Sequence, residues 1–247
     1  MDTIVAPLFP PELAWVNAAG GQASIIQRGR PMLVEFWDFC RANSMRTLPY
    51  MKEWDARYGP AGLRTIGVHC PGFEPSCPEP AVRAAVARLG IAYPVAIDGE
   101  LEVWQDYGNE GWPSRYLFDG RARLVEYHHG EGGYLETELA IQQLLGVERE
   151  PLAPLRPEDA PGARLRPQSE DRPGPYSGPY AAGGVWVVLD GCGSLRVGAA
   201  AGERELAFEH PGAYPVLEHE RHTEGTLELA CGPGLRCLAT CFTPGIA

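Results

Sequence analysis

Proline decides how this chain can be divided. Between Pro151 and Pro179 the sequence reads PLAPLRPEDAPGARLRPQSEDRPGPYSGP, with proline at 151, 154, 157, 161, 167, 173, 175 and 179. Each proline fixes φ and removes a backbone N–H donor, so neither a helix interior nor a central strand can run through the segment. It reads as a linker or as an extended arm wrapped on a neighbouring surface. Hydrophobic periodicity differs on its two sides. The expected organisation is a first domain over 1–150, the proline-rich segment over 151–179, and a C-terminal β domain over 180–247.

Before the break, strands and helices alternate. Residues 12–29 read as a lead-in with a short helix or hairpin. PMLVEFW (31–37) is a compact apolar run of the kind that forms a buried strand. From Ala42 to Tyr58, the residues Met45, Leu48, Met51 and Trp54 recur at three-residue steps and mark one face of a helix. GLRTIGVHC (62–70) is a second buried strand, and EPAVRAAVARLG (79–90) a helix closed by glycine. AYPVAIDG is a short strand entering a turn, and LEVWQDYG (101–108) a short helix. SRYLFDGRARLVEYHHG (114–130) is a hairpin around Asp119–Gly120, and YLETELAIQQLLG (134–146) a final amphipathic helix. A parallel βαβ unit followed by an antiparallel hairpin and a covering helix makes one α/β sheet. After the break, VWVVLD, SLRVG, RELAFE, YPVLEH, TLELA and LRCLATCF alternate with glycine-rich turns, the pattern of a small all-β sandwich or barrel.

Composition narrows the function. With 45% hydrophobic residues, 24 prolines and 30 glycines, the chain can build a core cut by many turns. Its net charge of −11, without a Lys/Arg block, repels phosphate backbones and argues against nucleic acid as a partner. MDTIVAPLFPPELAWVNAAGG has neither a basic n-region nor an apolar h-region, and no apolar run approaches a membrane span. The expectation is a cytoplasmic protein with no membrane partner. Seven cysteines at irregular spacings do not make a secreted disulfide framework, so they are read as reduced thiols.

Chemistry centres on VEFWDFCRANSMRTLPYM, where the lone Cys40 falls between strand and helix. A helix N-terminus presents outward N–H groups and a positive dipole, and Arg41 and Arg46 stand nearby; all favour thiolate. The other reading of Cys40 is packing, since free cysteine is among the most buried residue types. Cys70, in HCPGFEPSC with Cys77, is either a resolving thiol or a core cysteine. Resolution requires Cα atoms within about 7 Å. His69 is a candidate base or hydrogen-bond donor, or else a half-buried packing histidine. Glu35 and Asp38 are candidate proton acceptors, or surface and turn groups. Asn43 and Ser44 cap the helix or bind a substrate oxygen. Arg115 is an anion contact or a surface charge. His128 and His129, adjacent on a strand, point to opposite faces. In the β domain, His210, Glu218, His219 and His222 have ligand chemistry without a fixed common face. Cys237 and Cys241 share one face of a strand near Cys231, Cys192 stands in a turn, and packing is the expected role of the strand thiols. No metal and no cofactor is expected.

These residues carry a resemblance. LVEFWDFCRANSMRTLPYMKEWDARY, LRTIGVHCPGFEP, VRAAVARLGIAYPVAID, YGNEGWPSRYLFD and YHHGEGGYLETELAIQQLL, in this order, resemble a thioredoxin-like redoxin domain of the DipZ/TlpA type. The resemblance implies a thioredoxin fold over 12–146, with Pro113 as the cis-proline that faces the active-site turn. It also implies that the two cysteines of the family's C-x-x-C motif fall on Arg41 and Ser44, so the motif is lost and Cys40 stands one position earlier. Dithiol exchange needs a second thiol close by, and the motif supplies none. The C-terminal β region is similar in place to a DipZ domain that resembles a carbohydrate-binding module. Cys40, six residues after Val34, is also placed like the cysteine of glutathione-peroxidase-type thiol peroxidases, and Trp112 falls where that family has tryptophan. That family's glutamine has no counterpart near HCPGFE.

The functional expectation is a single-cysteine oxidoreductase with an antioxidant role. Cys40 attacks a small peroxide or another thiol-reactive electrophile, with Cys70 and His69 assisting, and a thiol reductant restores it. Trp112, Pro113, Arg41, Asn43, Ser44 and Arg115 are the expected substrate contacts. The alternatives are a redox-inactive thioredoxin-fold module that binds or regulates, and a non-redox enzyme with its site between the two domains.

Overall fold

The computed structural model describes residues 4–18, 29–200 and 202–247. The chain divides into two compact units, one of Met1–Phe39 and Asn43–Leu152, the other of Cys40–Ala42 and Ala153–Ala247. Of the expected lead-in at 12–29, a short strand β1 (Ala14–Val16) is present, and residues 19–28 lie outside the described residues.

The first unit is built on a six-stranded sheet. Its strands are β1, β2 (Met32–Trp37), β3 (Arg64–His69), β4 (Val95–Ile97), β5 (Ser114–Phe118) and β6 (Leu124–His129), in the order β1-β4-β3-β2-β5-β6. β2 and β3 pair in parallel, as do β3 and β4, whereas β5 and β6 run antiparallel to their neighbours and β1 antiparallel to β4. Every residue of β2 is buried, which is why its sequence, apart from Glu35, is an apolar run rather than an alternating one. Alternation still sorts its side chains. Met32, Val34 and Phe36 join Ile66, Val68, Ala96, Tyr116 and Phe118 in one apolar cluster, so Leu33, Glu35 and Trp37 belong to the opposite face. Each large side chain in that cluster contributes roughly 1.5–3 kcal/mol by leaving water.

The helices α1 (Ala42–Tyr58), α2 (Glu79–Arg88), α3 (Glu102–Asp106) and α4 (Tyr134–Leu145) fall where the periodicity put them. Pro49 lies inside α1, where its missing N–H leaves the helix ladder one donor short. The hairpin turn after β5 is tied by Asp119 Oδ1, which accepts hydrogen bonds from the backbone of Arg121 (2.8 Å) and Arg123 (3.0 Å). An N-terminal strap, unforeseen in the sequence, lies on this turn: Ala6 N donates to Ala122 O (2.8 Å) and Leu124 N to Ile4 O (2.9 Å).

The second unit is all β. β7 (Leu165–Arg166) and β8 (Arg172–Pro173) come from the proline-rich segment. They are followed by β9 (Ser177–Gly191), β10 (Gly193–Ala199), β11 (Gly202–Phe208), β12 (Gly212–Cys231), β13 (Leu235–Thr243) and β14 (Gly245–Ile246). The main sheet has the order β11-β10-β12-β9-β13-β8, and β7 pairs with β14. YPVLEH and TLELA, expected as separate strands, are one long strand. Register shifts after Pro215 and after Glu218 let β12 bend without ending. Tyr180, Val185, Val187, Leu195, Leu227 and Phe242 are among the residues of its core. Among the described residues no helix is long and apolar enough to cross a membrane.

Candidate functional site

The strand β2 delivers Asp38, Phe39 and Cys40 to the C-terminal end of the parallel strands, the end at which α/β sheets place their sites. Cys40 lies two residues before the first residue of α1, and it has no exposed surface. Asp38 organises the turn. Its backbone N–H donates to Ser44 Oγ (3.2 Å), and its Oδ2 accepts from Gly72 N (2.8 Å), joining the turn to α1 and to the loop after β3. Ser44 is buried and serves this turn, whereas Asn43 is exposed.

His69, the last residue of β3, pairs with Trp37 in register and is wholly buried. Its ring stacks on Phe39 with centroids 5.4 Å apart and meets Trp37 edge-on at 5.2 Å. Its Nε2 lies 3.5 Å from Asp38 Oδ1, an electrostatic contact without hydrogen-bond geometry. The structure thus brings Asp38 and His69 together beside the turn that carries Cys40.

Cys70 follows. Its thiol donates to Asp98 Oδ2 (3.4 Å), and burial, with the carboxylates of Asp98 and Asp38 nearby, pushes it well above the ordinary cysteine range. Cys70 is therefore held as a neutral thiol, a poor attacking group. Asp98 has a further duty, because its carboxylate caps α3 by accepting from the backbone of Glu102 (2.8 Å), Val103 (3.2 Å) and Trp104 (2.8 Å). All seven cysteines are thiols in the structure.

Opposite the turn, the peptide between Trp112 and Pro113 is cis. Ser114 pairs with Phe36, so Pro113 stands beside Trp37 at the same end of the sheet as Cys40. Trp112 is pinned by its Nε1 hydrogen bond to Cys70 O (3.0 Å) and by Trp104, with ring centroids 4.4 Å apart. His129 reaches this segment from β6. Its Nδ1 lies 3.0 Å from Ser114 Oγ, and its ring packs on Gly111, where a Cβ would come within 2.6 Å of it. His128 points the other way, to Glu131 O at 3.0 Å, so the two rings do part to opposite faces.

Two expectations are corrected, for Arg115 and Arg46, and one pair of alternatives, for Glu35 and Asp38, is decided. Arg115 is neither a surface charge nor an accessible anion contact. It is fully buried, packs over the rings of Trp54 and Tyr134, and donates to Gly132 O. Arg46 does not offer its charge to the cysteine, because it is buried in an ion pair with Glu131 at 2.7 Å. Glu35 and Asp38 are not surface groups, and both are wholly buried. Burial raises Glu35 to about 8 against the lowering pull of Arg115, so it carries its proton at neutral pH. Arg41 is half-buried. Asp98 and the glycine-rich loop 130–133 escaped the sequence reading. Asp98, four residues before a short helix, is a carboxylate within reach of that helix's first N–H groups.

In the second unit, His219 Nε2 lies 2.9 Å from the Tyr180 hydroxyl and the two rings stack. Cys237 and Cys241 are each pushed up to about 12, chiefly by burial, which fits packing. Among the described residues no group of three or more His, Cys, Asp or Glu side chains could hold a metal ion.

A cis-proline across from the strand-to-helix turn and this sheet order define a thioredoxin-like fold. The fold of a thioredoxin-like protein solved in its oxidized form matches with a TM-score of 0.51 at 23% identity, covering 58% of this chain and 97% of that one. A thioredoxin-like superfamily protein, SPOA0173, gives the same TM-score at 22% identity, covering 59% and 99%. No protein-family profile matches the chain. Protein DipZ of Mycobacterium bovis is 31% identical over 211 residues, covering 81% of this chain and 30% of DipZ. That stretch is too long to be confined to the first unit. The thiol-disulfide oxidoreductase YkuV of Bacillus subtilis is 24% identical over 139 residues, 56% of this chain and 93% of YkuV. The chain carries a thioredoxin-like domain of the DipZ/TlpA type followed by an all-β region. It spans about 30% of the length of the DipZ proteins it matches.

Proposed function

We propose that the thioredoxin-like fold here serves a thiol-dependent oxidoreductase whose reacting group is Cys40. Kinship with thiol-disulfide oxidoreductases supports thiol redox chemistry in general. The observation that carries the finer reading is the position of Cys40, at the turn between β2 and α1 and at the sheet end shared with the cis Trp112–Pro113 bond. A neutral Cys70 bonded to Asp98 speaks against an internal dithiol pair and for one working sulfur.

A hydroperoxide is reduced in two stages. The Cys40 thiolate attacks the outer oxygen, the O–O bond breaks, and the departing alkoxide takes a proton to leave as alcohol. Cys40 becomes a sulfenic acid. A solution thiol then displaces water to form a mixed disulfide, and a second thiol releases Cys40 and carries away the disulfide. Cys40 has no exposed surface, so either step requires the sulfur to become accessible first.

That same burial favours a second reading, a redox-inactive module that keeps the fold for binding or regulation. Labelling with a sulfenic-acid probe after mild peroxide separates the two. Selective labelling of Cys40, abolished in Cys40→Ser, is expected. Slow labelling spread over several cysteines would establish the inactive module instead.

A further inference from the structure

Glu35 and Arg115 stand directly opposite one another on β2 and β5, and neither has any exposed surface. Two opposite charges on one rung of a buried sheet would be expected to bond. They do not: both Glu35 carboxylate oxygens, and Nε and Nη1 of Arg115, are buried without a hydrogen-bond partner. Native interiors rarely leave such groups unsatisfied. The guanidinium is instead turned toward the loop after β6, where Nη2 donates to Gly132 O. Trp54 and Tyr134 hold it from the sides at 5.7 and 5.0 Å, and Tyr134 is itself stacked on Tyr50 at 3.7 Å.

The loop that Arg115 grips borders the candidate site. Gly130 N donates to the carbonyl of cis-Pro113 (2.8 Å), and Glu131 pairs with Arg46 (2.7 Å). Thr137 N, in the first turn of α4, donates to Gly133 O (3.0 Å). Gly133 has φ +60°, and a Cβ there would lie 2.4 Å from His128 Nδ1, so the loop closes tightly on its own strand.

We propose that Arg115 is a positioning residue for which two acceptors compete, the Gly132 carbonyl and the Glu35 carboxylate, and that the proton on Glu35 decides between them. Protonated Glu35 is a weak competitor, and Arg115 then latches the loop against Pro113, as in the structure. Ionised Glu35 attracts the idle Nε and Nη1 donors, draws the guanidinium across the rung, and releases Gly132. Other groups face the pair throughout: Tyr93 toward Glu35, and Glu126 from β6, Glu131 from the loop, Tyr134 from α4 and His128 toward Arg115. None of them lies on the β2–β5 rung. The burial that lifts Glu35 to about 8 puts the exchange within reach of mildly alkaline solution. Its consequence for chemistry rests on the Cys40 reading, but the latch itself does not.

The test is amide hydrogen exchange of Gly130 and Thr137 in the full chain from pH 6.5 to 9, corrected for intrinsic exchange. In the unsubstituted protein, protection should fall by roughly tenfold across the titration of Glu35. Glu35→Gln should stay protected throughout, and Arg115→Lys, which keeps the charge but loses the planar fork, should be less protected at every pH. A flat profile in the unsubstituted chain, or the same pH-dependent loss in Glu35→Gln, would overturn the latch. If Arg115→Lys does not fold, the first two profiles still decide. A flat profile with selective Cys40 labelling refutes the latch alone. A pH-dependent profile with inert Cys40 refutes the thiol reading alone.

Discussion

Replacing Glu35 with glutamine keeps the shape of a wholly buried side chain and removes its titration. In the native chain burial holds this carboxyl up at about 8, against 4.5 when it is unfolded and hydrated. Between those values the native protein keeps a proton that the unfolded chain has released. Stability from this group is therefore intact below about 4.5 and is lost progressively as pH rises to about 8. At 1.36 kcal/mol for each tenfold change in proton affinity, the loss approaches roughly 5 kcal/mol, a large share of a small domain's stability. Glu126 and Asp55 are also raised by burial and His128 is lowered, and these groups bend the absolute curve in both proteins. The useful quantity is the difference between the two. It is read from urea unfolding followed by tryptophan fluorescence, because Trp15, Trp37, Trp54, Trp104 and Trp112 all lie in the first unit. From pH 5 to 9 the unsubstituted chain should lose several kcal/mol relative to Glu35→Gln. Parallel curves for the two proteins would show that Glu35 is hydrated in solution and that the packing around it has been misread.

Other substitutions test the scaffold. Asp98→Asn should destabilise the first unit by about 1–3 kcal/mol, because the charged α3 cap and the acceptor for Cys70 weaken together. It should also make Cys70 easier to alkylate; unchanged alkylation would remove the carboxylate as a cause of the neutral thiol. Gly191→Ala should cost the second unit roughly 2–3 kcal/mol, since φ is +82° and the new Cβ would meet Gly234 O at 2.2 Å. An unchanged melting transition would mean that the β9–β13 join is looser than described.

Much of the scaffold was readable because local signals agreed. MLVEFW is apolar at every position but Glu35 and became a central strand buried on both faces. The spacing of Met45, Leu48, Met51 and Trp54 marked α1 correctly. The segment Pro151–Pro179 announced that regular structure would be short, and it contributes only the two-residue strands β7 and β8 before β9 begins. The site was less readable, for a physical reason. Arg115 and Glu35 lie far apart in sequence, and neither alone points to the other. Only the β2–β5 register shows that they share a buried rung. Arg46 likewise seemed available to a thiolate until a residue far along the chain, Glu131, was seen to neutralise it. Charges earn their roles from partners, and pairing across a sheet has no signature in local periodicity.

The same reasoning bears on the one thiol. A sulfur with no exposed surface reacts only through the fraction of molecules in which it has become accessible. Each 1.4 kcal/mol of opening cost lowers the observed rate tenfold, whatever the intrinsic reactivity of the thiolate. Contacts that hold the turn include Ser44 Oγ and Gly72 N on Asp38, and the stack of Phe39 on His69. Ser44→Ala removes one of them without touching sulfur. If Cys40 is a gated nucleophile, this change should raise its alkylation rate several-fold while leaving the exposed Cys77 and Cys192 unaffected. An unchanged Cys40 rate alongside measurable loss of stability would mean that the turn does not open as a unit, and that Cys40 belongs to the core.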